Sequence, residues 1–290
     1  MSHPTPDVPD VLPEDTALVL PPCPAVLAGL FEAVQRDHDL REVSSLIAAD
    51  PAICGSVLRT ANSVAEAGHT SLRDPLQAVT KLGVRRVLGI ACAIAAPGAF
   101  PLPPQVAERF WRLSRTTAEA ARQVARRIPG PAEEDAYLYG LFRDCGIPLL
   151  MLNYPDYEQT VQDAIAENMP STKLEYFRYG THHAMVGGLI TRHWKMPAEL
   201  VLSIRHQHDA TLFGDNTGSV APEIRTLAAL GFFASSAARN ALGEIEDPEW
   251  VWCGRQAAAY LGFQPKEAVE LVWDVAEAVR EVMGRQHLPE

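Results

Sequence analysis

The sequence predicts an all-α fold with two helical subdomains and additional C-terminal helices. Apolar residues recur at helical spacing through most of the chain, and the period-two alternation typical of strands is essentially missing. In addition, Pro or Asp repeatedly precedes an apolar helical stretch, where these residues favour a helix start. With 290 residues, of which 47% are hydrophobic, the chain is long enough to bury a substantial core.

Two stretches rich in helix-breaking residues predict the domain boundaries. PGAFPLPP at 97–104 is the clearest one, and the loop GDNTGS at 214–219 is a second. The first residues are rich in Pro and acid, which is typical of a segment without a core. We therefore predict a disordered leader (1–15), an N-terminal helical part (16–100), a middle helical part (101–213) and a C-terminal helical extension packed on the middle part (214–290).

The first helices are predicted from their start and stop signals. Leu27, Leu30 and Phe31 share one face after a Pro-rich start, which predicts an amphipathic helix. Asp39 with Glu42 has the pattern of a capping box, and Asp-Pro pairs at 50–51 and 74–75 predict two further starts. Gly83 suits a helix end, and a buried helix follows at 84–96. Beyond the first boundary, helices are predicted at 106–127, from 135 into YGLFRDCG, and at about 155–168, 172–179, 182–194, 197–209, 222–242, 249–261 and 265–284.

Composition excludes several classes of protein. The net charge of −11 argues against general nucleic-acid binding, which needs a basic surface. No apolar run reaches the ~18 residues of a membrane helix, and the N-terminus does not resemble a signal peptide. The five cysteines are scattered without a CxxC pair, which is typical of reduced thiols. We expect a cytoplasmic, bacterial-type protein that needs no cofactor.

Several separated stretches resemble the HDOD family, a branch of the HD-domain superfamily of metal-dependent phosphohydrolases. They are LPPCPAVLAGL, LIAADPAICGSVLRTANS, SLRDPLQAVTKLGVRRVLGIA, FWRLS, YGLFRDCGIPLL and EYFRYGTHHAMVGGLITRHWKMPAELVLSIRHQHD, in order across about 16–210. The resemblance implies an HD-like helical bundle, with 101–213 as its HD-like part. The parent HD enzymes hold divalent metals with a histidine, a His-Asp pair, further histidines and a closing Asp, which activate water against phosphate esters. HDOD proteins are generally regarded as degenerate versions that act in signalling.

Position by position, the metal pattern is incomplete in this sequence. Leu113 occupies the place of the first histidine, and Arg143-Asp144 replaces the His-Asp pair. A guanidinium stays protonated and offers only donors, so it cannot ligate a cation. The closing Asp has no counterpart in LAALGFFASSAAR. The predicted remnant cleft consists of Leu113, Arg143, Asp144, His183, Gln207 and His208, and any metal would have to use Asp144, His183 and His208.

These residues lead to three hypotheses about function. The first is a non-catalytic signalling or regulatory module that contacts unidentified signalling proteins, with Asp144 paired to a cation and the histidines hydrogen-bonded. The second is a metal-dependent phosphohydrolase acting on a nucleotide or cyclic dinucleotide. The third is a regulator that senses a nucleotide or another anion. In the first and third, Arg143, His182 and His206 are candidate contacts for a small-molecule ligand or a partner.

Two smaller expectations concern single residues outside this pattern. Cys145 follows the Arg-Asp pair and is expected to be a small buried hydrophobe rather than a redox sensor. Trp250, Trp252 and Trp273 are expected to fill the core between the last helices rather than to form a docking surface.

Overall fold

The computed structural model describes residues 18–36, 39–63, 71–214, 220–244 and 249–286, and confirms the predicted all-α fold. The predicted leader lies outside these residues. The α-helices before residue 143 are α1 (Ala25–Arg36), α2 (Leu40–Ala48), α3 (Pro51–Ser63), α4 (Pro75–Leu82), α5 (Val84–Ala95), α6 (Pro104–Ala125) and α7 (Glu133–Phe142). They are followed by α8 (Gly146–Asn153), α9 (Tyr157–Ala166), α10 (Ser171–Tyr179), α11 (His183–His193), α12 (Ala198–Arg205), α13 (Pro222–Ala241), α14 (Arg255–Tyr260) and α15 (Pro265–Gln286).

Short polar side chains set several helix starts. Asp39 Oδ1 accepts from the Arg41 amide, Asp50 Oδ1 from the Ala52 and Ile53 amides, and Asp74 Oδ1 from the Leu76 amide. Each bond satisfies a backbone donor that has no partner within the helix. The predicted helix 249–261 differs from the structure, because it begins as a short π-helix (Trp250–Gly254) that passes into α14.

One compact unit consists of residues 21–111 together with 192–197. Its core includes Leu27 and Leu30 of α1 and Val87 of α5. These two helices contact each other. Trp194 belongs to this unit: its indole is buried and its Nε1 donates to the Pro21 carbonyl at 2.9 Å. The Asn62 amide exchanges two hydrogen bonds with the backbone of Leu72, which explains why an Asn is placed at the end of α3.

The second unit contains residues 112–191 and everything described after 197. Its central helix is α13, which contacts α7, α12, α14 and α15. Small residues along α13 let its neighbours pack close to it. Phe232 and Phe233 fill the remaining space between α13 and these neighbours.

Close backbone contacts in the second unit hold two pairs of helices in register. A Cβ added to Gly140 would lie 2.7 Å from the Thr117 carbonyl oxygen, so α7 packs directly on α6. A Cβ added to Gly146 would lie 2.0 Å from the His183 carbonyl oxygen, so the start of α8 packs directly on the start of α11. Gly146, the second glycine of YGLFRDCG, therefore allows the close approach that brings Asp144 near His183.

The C-terminal tryptophans differ from the expectation of a common core. Trp250 packs edge-on against Phe233, but Trp252 is 38% exposed and Trp273 53% exposed. The buried face of α15 is already occupied by smaller apolar residues, and Trp273 lies outside it. The prediction that all three fill the core was wrong for these two.

Within the described residues, no single helix has both the length and the apolar composition of a membrane span. By length and composition alone, Pro75–Leu82 and Val84–Ala99 reach that threshold as a pair, but they are bent by 111°.

Candidate functional site

Arg143 and Asp144 form the turn between α7 and α8, at the centre of the predicted remnant cleft. Arg143 caps α7, and its amide donates to the Tyr139 carbonyl at 2.8 Å. Its side chain is almost entirely buried, whereas the side chain of Asp144 is 24% exposed. The predicted pairing is present: Arg143 Nε donates to Asp144 Oδ1 at 3.3 Å.

The remaining donors of the Arg143 guanidinium are directed at the C-terminal extension. Nη1 donates to the Gly231 carbonyl of α13 at 2.5 Å, and Nη2 donates to Glu249 Oε2 at 2.7 Å. The planar fork thus reaches three separate acceptors, a geometry that an ammonium group does not reproduce. Arg143 joins the turn after α7 to both α13 and the segment that enters the π-helix.

Gln207 fixes this turn from the other side. Its Nε2 donates to the Arg143 carbonyl at 2.6 Å, and the side chain is buried. Its Oε1 has no hydrogen-bond partner among the described residues. Where the family pattern has paired histidines, Gln207 therefore acts as a backbone support.

His183, the first residue of α11, is held by a buried carboxylate. Glu175 is fully buried, and its Oε2 accepts from the His183 backbone amide at 2.7 Å. Both of its carboxylate oxygens lie 2.9 Å from Nδ1 of the His183 ring. The Tyr157 hydroxyl donates to Glu175 Oε1 at 2.9 Å. Such a carboxylate fixes both the orientation of the ring and the proton on Nδ1.

The electrostatics of this pair favour two opposite charges. Burial opposes ionisation of Glu175, but the charge and hydrogen bonds of His183 outweigh it and lower the pKa of Glu175 to about 2. Burial likewise opposes the charge on His183, but Glu175 outweighs it and raises the pKa of His183 to about 9. His183 is therefore an imidazolium at neutral pH.

His208 accepts a hydrogen bond from the Nε2–H of His183. The two Nε2 atoms are 2.8 Å apart, and the rings meet at 83°. Burial, His183 and Arg143 all lower the pKa of His208 well below its ordinary value, so this ring is neutral and accepts the bond. His208 Nδ1 then carries the hydrogen and lies 3.7 Å from Glu249 Oε2.

Asp144 completes the network as an anion. Burial opposes its charge, but Arg143, followed by His183, outweighs it, so its pKa is lowered. Its Oδ1 lies 3.9 Å from His183 Nε2. Asp144 Oδ1, His183 Nε2 and His208 Nε2 thus each already face a protein hydrogen-bond partner.

The other predicted site residues lie in more ordinary surroundings. Leu113 is half-buried on α6 and offers the site no polar atom. His182 Nδ1 accepts from the Met185 amide at 3.4 Å, and burial followed by His183 lowers the pKa of His182 to about 4. The His206 side chain is 40% exposed and lies 4.0 Å from Asp209. Cys145 is buried, as expected, and burial raises the pKa of its thiol.

Glu175 and Glu249 are the two site residues that the sequence pattern did not reveal. Glu175 lies within EYFRYGTHH, eight residues before His183, and a carboxylate near a histidine of a metal pattern is the signal that could have found it. Glu249 is 106 residues from Arg143, and no local spacing connects them.

Comparison with known proteins identifies the family. The profile described as "HDOD domain" matches residues 20–210 of this chain. The chain belongs to the HDOD domain family. A Treponema pallidum protein, described as uncharacterized, is 23% identical over 193 residues that make up 66% of this chain and 38% of that protein. The matched stretch therefore spans well under half the length of this relative.

Solved structures agree with the HDOD fold. A provisionally named phosphohydrolase from Shewanella amazonensis has a TM-score of 0.67 and 26% identity, covering 93% of this chain and 95% of that one. An HDOD domain protein of unknown function from Geobacter sulfurreducens has a TM-score of 0.64 and 19% identity, covering 93% and 94%. A provisionally named signal transduction protein from Marinobacter aquaeolei has a TM-score of 0.66 and 20% identity, covering 92% of this chain and 59% of that one.

The HD superfamily implies divalent metals, and the residues of this HDOD chain do not fit them. Asp144, His183 and His208 do bring three ligand atoms within 4.8 Å of one another. However, Arg143 is bonded to Asp144, and a dication at 4 Å from a guanidinium is repelled by roughly 8 kcal/mol at an effective dielectric constant of 20. The position facing Arg143 on α13 is Gly231, where a Cβ would lie 2.6 Å from Tyr139 Oη, so no carboxylate side chain fits there.

The charge state of the Glu175–His183 pair predicts a dependence of stability on pH. The pKa of His183 is about 9 in the folded protein and 6.5 in the unfolded chain. The contribution of His183 to the free energy of unfolding is therefore complete below pH 6.5 and is lost as the pH rises through 9. The pKa of Glu175, about 2, is below 4.5, so its contribution is complete above pH 4.5 and is lost as pH falls through 2. We expect the free energy of unfolding to fall by about 3 kcal/mol between pH 6.5 and 9.

Urea unfolding followed by circular dichroism across this pH range measures that fall. His183→Gln, which keeps a hydrogen-bonding group of similar length, should remove most of the slope. His193→Gln, a change at the exposed end of α11, should leave the slope as in the wild type. Parallel curves for the wild type and His183→Gln would contradict the assignment of an imidazolium.

Proposed function

We propose that this HDOD protein is a regulatory module that acts through contacts with other proteins and does not use the HD site for hydrolysis. The observation that carries the proposal is the Arg143 guanidinium, which lies in the cleft and is bonded to Asp144, Glu249 and Gly231. It holds a fixed positive charge against Asp144, the one carboxylate of the metal pattern that this chain keeps. If Arg143 replaces the metal, the cleft lacks the ion that would lower the pKa of a bound water. Such a water would then not be activated to attack a phosphate ester at neutral pH.

Several further observations support a regulatory role. The network is closed by protein groups, as expected of a site that stabilises a fold. The Marinobacter aquaeolei structure, which has the same fold, carries a signal transduction name. A cytoplasmic location belongs to the same proposal and is supported by five cysteines that form no disulfide.

A metal-dependent phosphohydrolase is the rival, and two observations favour it. Asp144, His183 and His208 converge, and Glu175 orients His183 as a carboxylate orients a metal-binding histidine. The name of the Shewanella amazonensis structure points the same way. Against this rival, Nε2 of His183 and Nε2 of His208, the two nitrogens that a cation would use, lie 2.8 Å apart and face each other as hydrogen-bond partners.

A sensor of nucleotides or other anions is the remaining candidate. It would need Arg143 to release acceptors that it now holds, because Nε, Nη1 and Nη2 each donate to a protein oxygen. His182 and His206 would likewise have to exchange their contacts with the Met185 amide and with Asp209 for contacts with the ligand. A thermal-shift screen with nucleotides separates this reading from a pure protein-contact module, since a ligand of the folded state raises the apparent stability.

The proposal predicts no metal-dependent hydrolysis. We expect phosphomonoesters, phosphodiesters, nucleotides and cyclic dinucleotides to be turned over no faster by the wild type than by Asp144→Ala, with Mn²⁺, Fe²⁺ or Zn²⁺ added. The assay is release of phosphate or nitrophenol, with circular dichroism to show that both proteins are folded. Turnover by the wild type that requires metal and disappears in Asp144→Ala would establish the rival.

A further inference from the structure

The outward face of α15 carries a row of acidic side chains with two exposed apolar side chains beside it. Glu267, Glu270, Asp274, Glu277 and Glu281 are all exposed and follow one another at spacings of three, four, three and four residues. At 100° per residue these five form one continuous stripe along the helix, which we call the acidic stripe. It lies opposite the buried face of Ala268, Leu271, Val275, Ala276 and Val279.

Two apolar side chains border the acidic stripe. Val269 is 47% exposed and Trp273 is 53% exposed, one helical turn apart. Trp273 has Glu270 three residues before it and Glu277 four residues after it, so carboxylates adjoin the indole. A large aromatic surface left in water beside charged groups is typical of an interface anchor.

The acidic stripe is unfavourable for the isolated chain. Consecutive members stand at i,i+3 or i,i+4, where like charges destabilise a helix. Glu267 is the exception, because it lies in the first turn, where the helix dipole favours negative charge, and its Oε2 accepts from the Gln264 amide at 2.8 Å. Lys266 pairs with Glu270 at 3.5 Å, and Arg280 donates to the Asn240 carbonyl, so nearby cations offset only part of this repulsion.

We propose that this face of α15 is the docking surface for a basic amphipathic helix of another protein. Cations spaced by three and four residues on the partner would lie against the acidic stripe, and a neighbouring apolar residue or guanidinium would cover Trp273. A second copy of this chain does not fit, because a symmetric contact would set one acidic stripe against the other. Nucleic acid and anionic lipid are repelled for the same reason. This inference rests on the proposed function, to which it adds the place and the chemistry of the contact.

The test uses the full-length protein and a labelled synthetic helical peptide of 22 residues, the length of α15. The peptide has Arg and Lys along one face and Leu on the flank of that face. Fluorescence anisotropy is measured at low and at physiological salt. Glu270→Gln/Asp274→Asn/Glu277→Gln should weaken binding by about tenfold and flatten its salt dependence. Trp273→Ala should weaken binding by about fivefold.

A matched control removes the same number of exposed acids elsewhere. Glu158→Gln/Glu167→Gln/Glu199→Gln lowers the net negative charge equally and should change affinity by less than about twofold. Without peptide, the α15 triple variant should melt at a higher temperature than the wild type, because the repulsion is gone.

Three outcomes would overturn the inference. They are equal weakening by the two triple variants, undetectable binding of the peptide at low salt, and a lower melting temperature of the α15 variant. Self-association of the wild type that depends on the acidic stripe would also contradict it. None of these results bears on metal binding. The proposal of a docking surface can therefore fail while the proposal that the HD metal site is lost still stands.

Discussion

Gly146→Ala is expected to lower the free energy of unfolding by about 3–4 kcal/mol, although alanine is the better helix former. The new Cβ would lie 2.0 Å from the His183 carbonyl oxygen and 2.8 Å from the Gly187 amide nitrogen. Both are backbone atoms of α11, so no side chain can rotate away, and α8 has to separate from α11. Urea unfolding measures the loss directly.

The control is the same substitution in open space. A Cβ at Gly284 of α15 would have no neighbour within 4 Å, so Gly284→Ala should stabilise the chain by about 0.5–1 kcal/mol. Equal effects of the two substitutions would show that α8 and α11 are not in direct backbone contact. Because Gly146 sets the separation of Asp144 and His183, such a result would also undermine the geometry of the site.

Arg143→Met is expected to destabilise the protein by about 3–5 kcal/mol, since removing one member of a buried ion pair leaves its partners uncompensated. Methionine keeps much of the volume but leaves Asp144, Glu249 and the Gly231 carbonyl without the guanidinium. Arg143→Lys should recover only part of the loss, because one ammonium cannot reach three separated acceptors. Chemical unfolding of each variant gives the values.

Arg126→Ala is the matched control for this change. Arg126 pairs with Glu133 at 2.8 Å, but both side chains are more than 40% exposed, so the loss should stay below about 1 kcal/mol. Adding Glu249→Gln to Arg143→Met should cost less than the sum of the two single changes, since the two residues contact each other. Additive losses would show that the Arg143–Glu249 contact contributes little.

Much of the fold could be predicted because its signals are local. Asp50 and Asp74 identify helix starts within three residues of themselves, and the spacing of Leu27, Leu30 and Phe31 identifies the buried face of α1. The π-helix at Trp250 could not be predicted, since apolar spacing does not distinguish a short π-helix from the first turn of an α-helix. The exposure of Trp273 could have been predicted from periodicity, because it lies off the buried face of α15.

The site was predictable only in part. Asp144, His183 and His208 could be placed together because the family resemblance supplies their relative positions, and the structure brings their ligand atoms within 4.8 Å. Glu175 sets the charge of His183, and Glu249 accepts from Arg143, but neither carboxylate belongs to the metal pattern. The pairing of Arg143 with Glu249 depends on how the C-terminal extension folds back, which local sequence patterns do not encode.

Elemental analysis of purified protein tests the central claim, that Arg143 has taken the place of the metal, most directly. The wild type is prepared without chelator or nickel affinity resin, then incubated with Mn²⁺, Fe²⁺ or Zn²⁺ and desalted. We expect metal far below one equivalent under every condition, with Asp144→Ala indistinguishable from the wild type. Near-stoichiometric metal in the wild type that is lost in Asp144→Ala would contradict the account and establish a functional HD metal site.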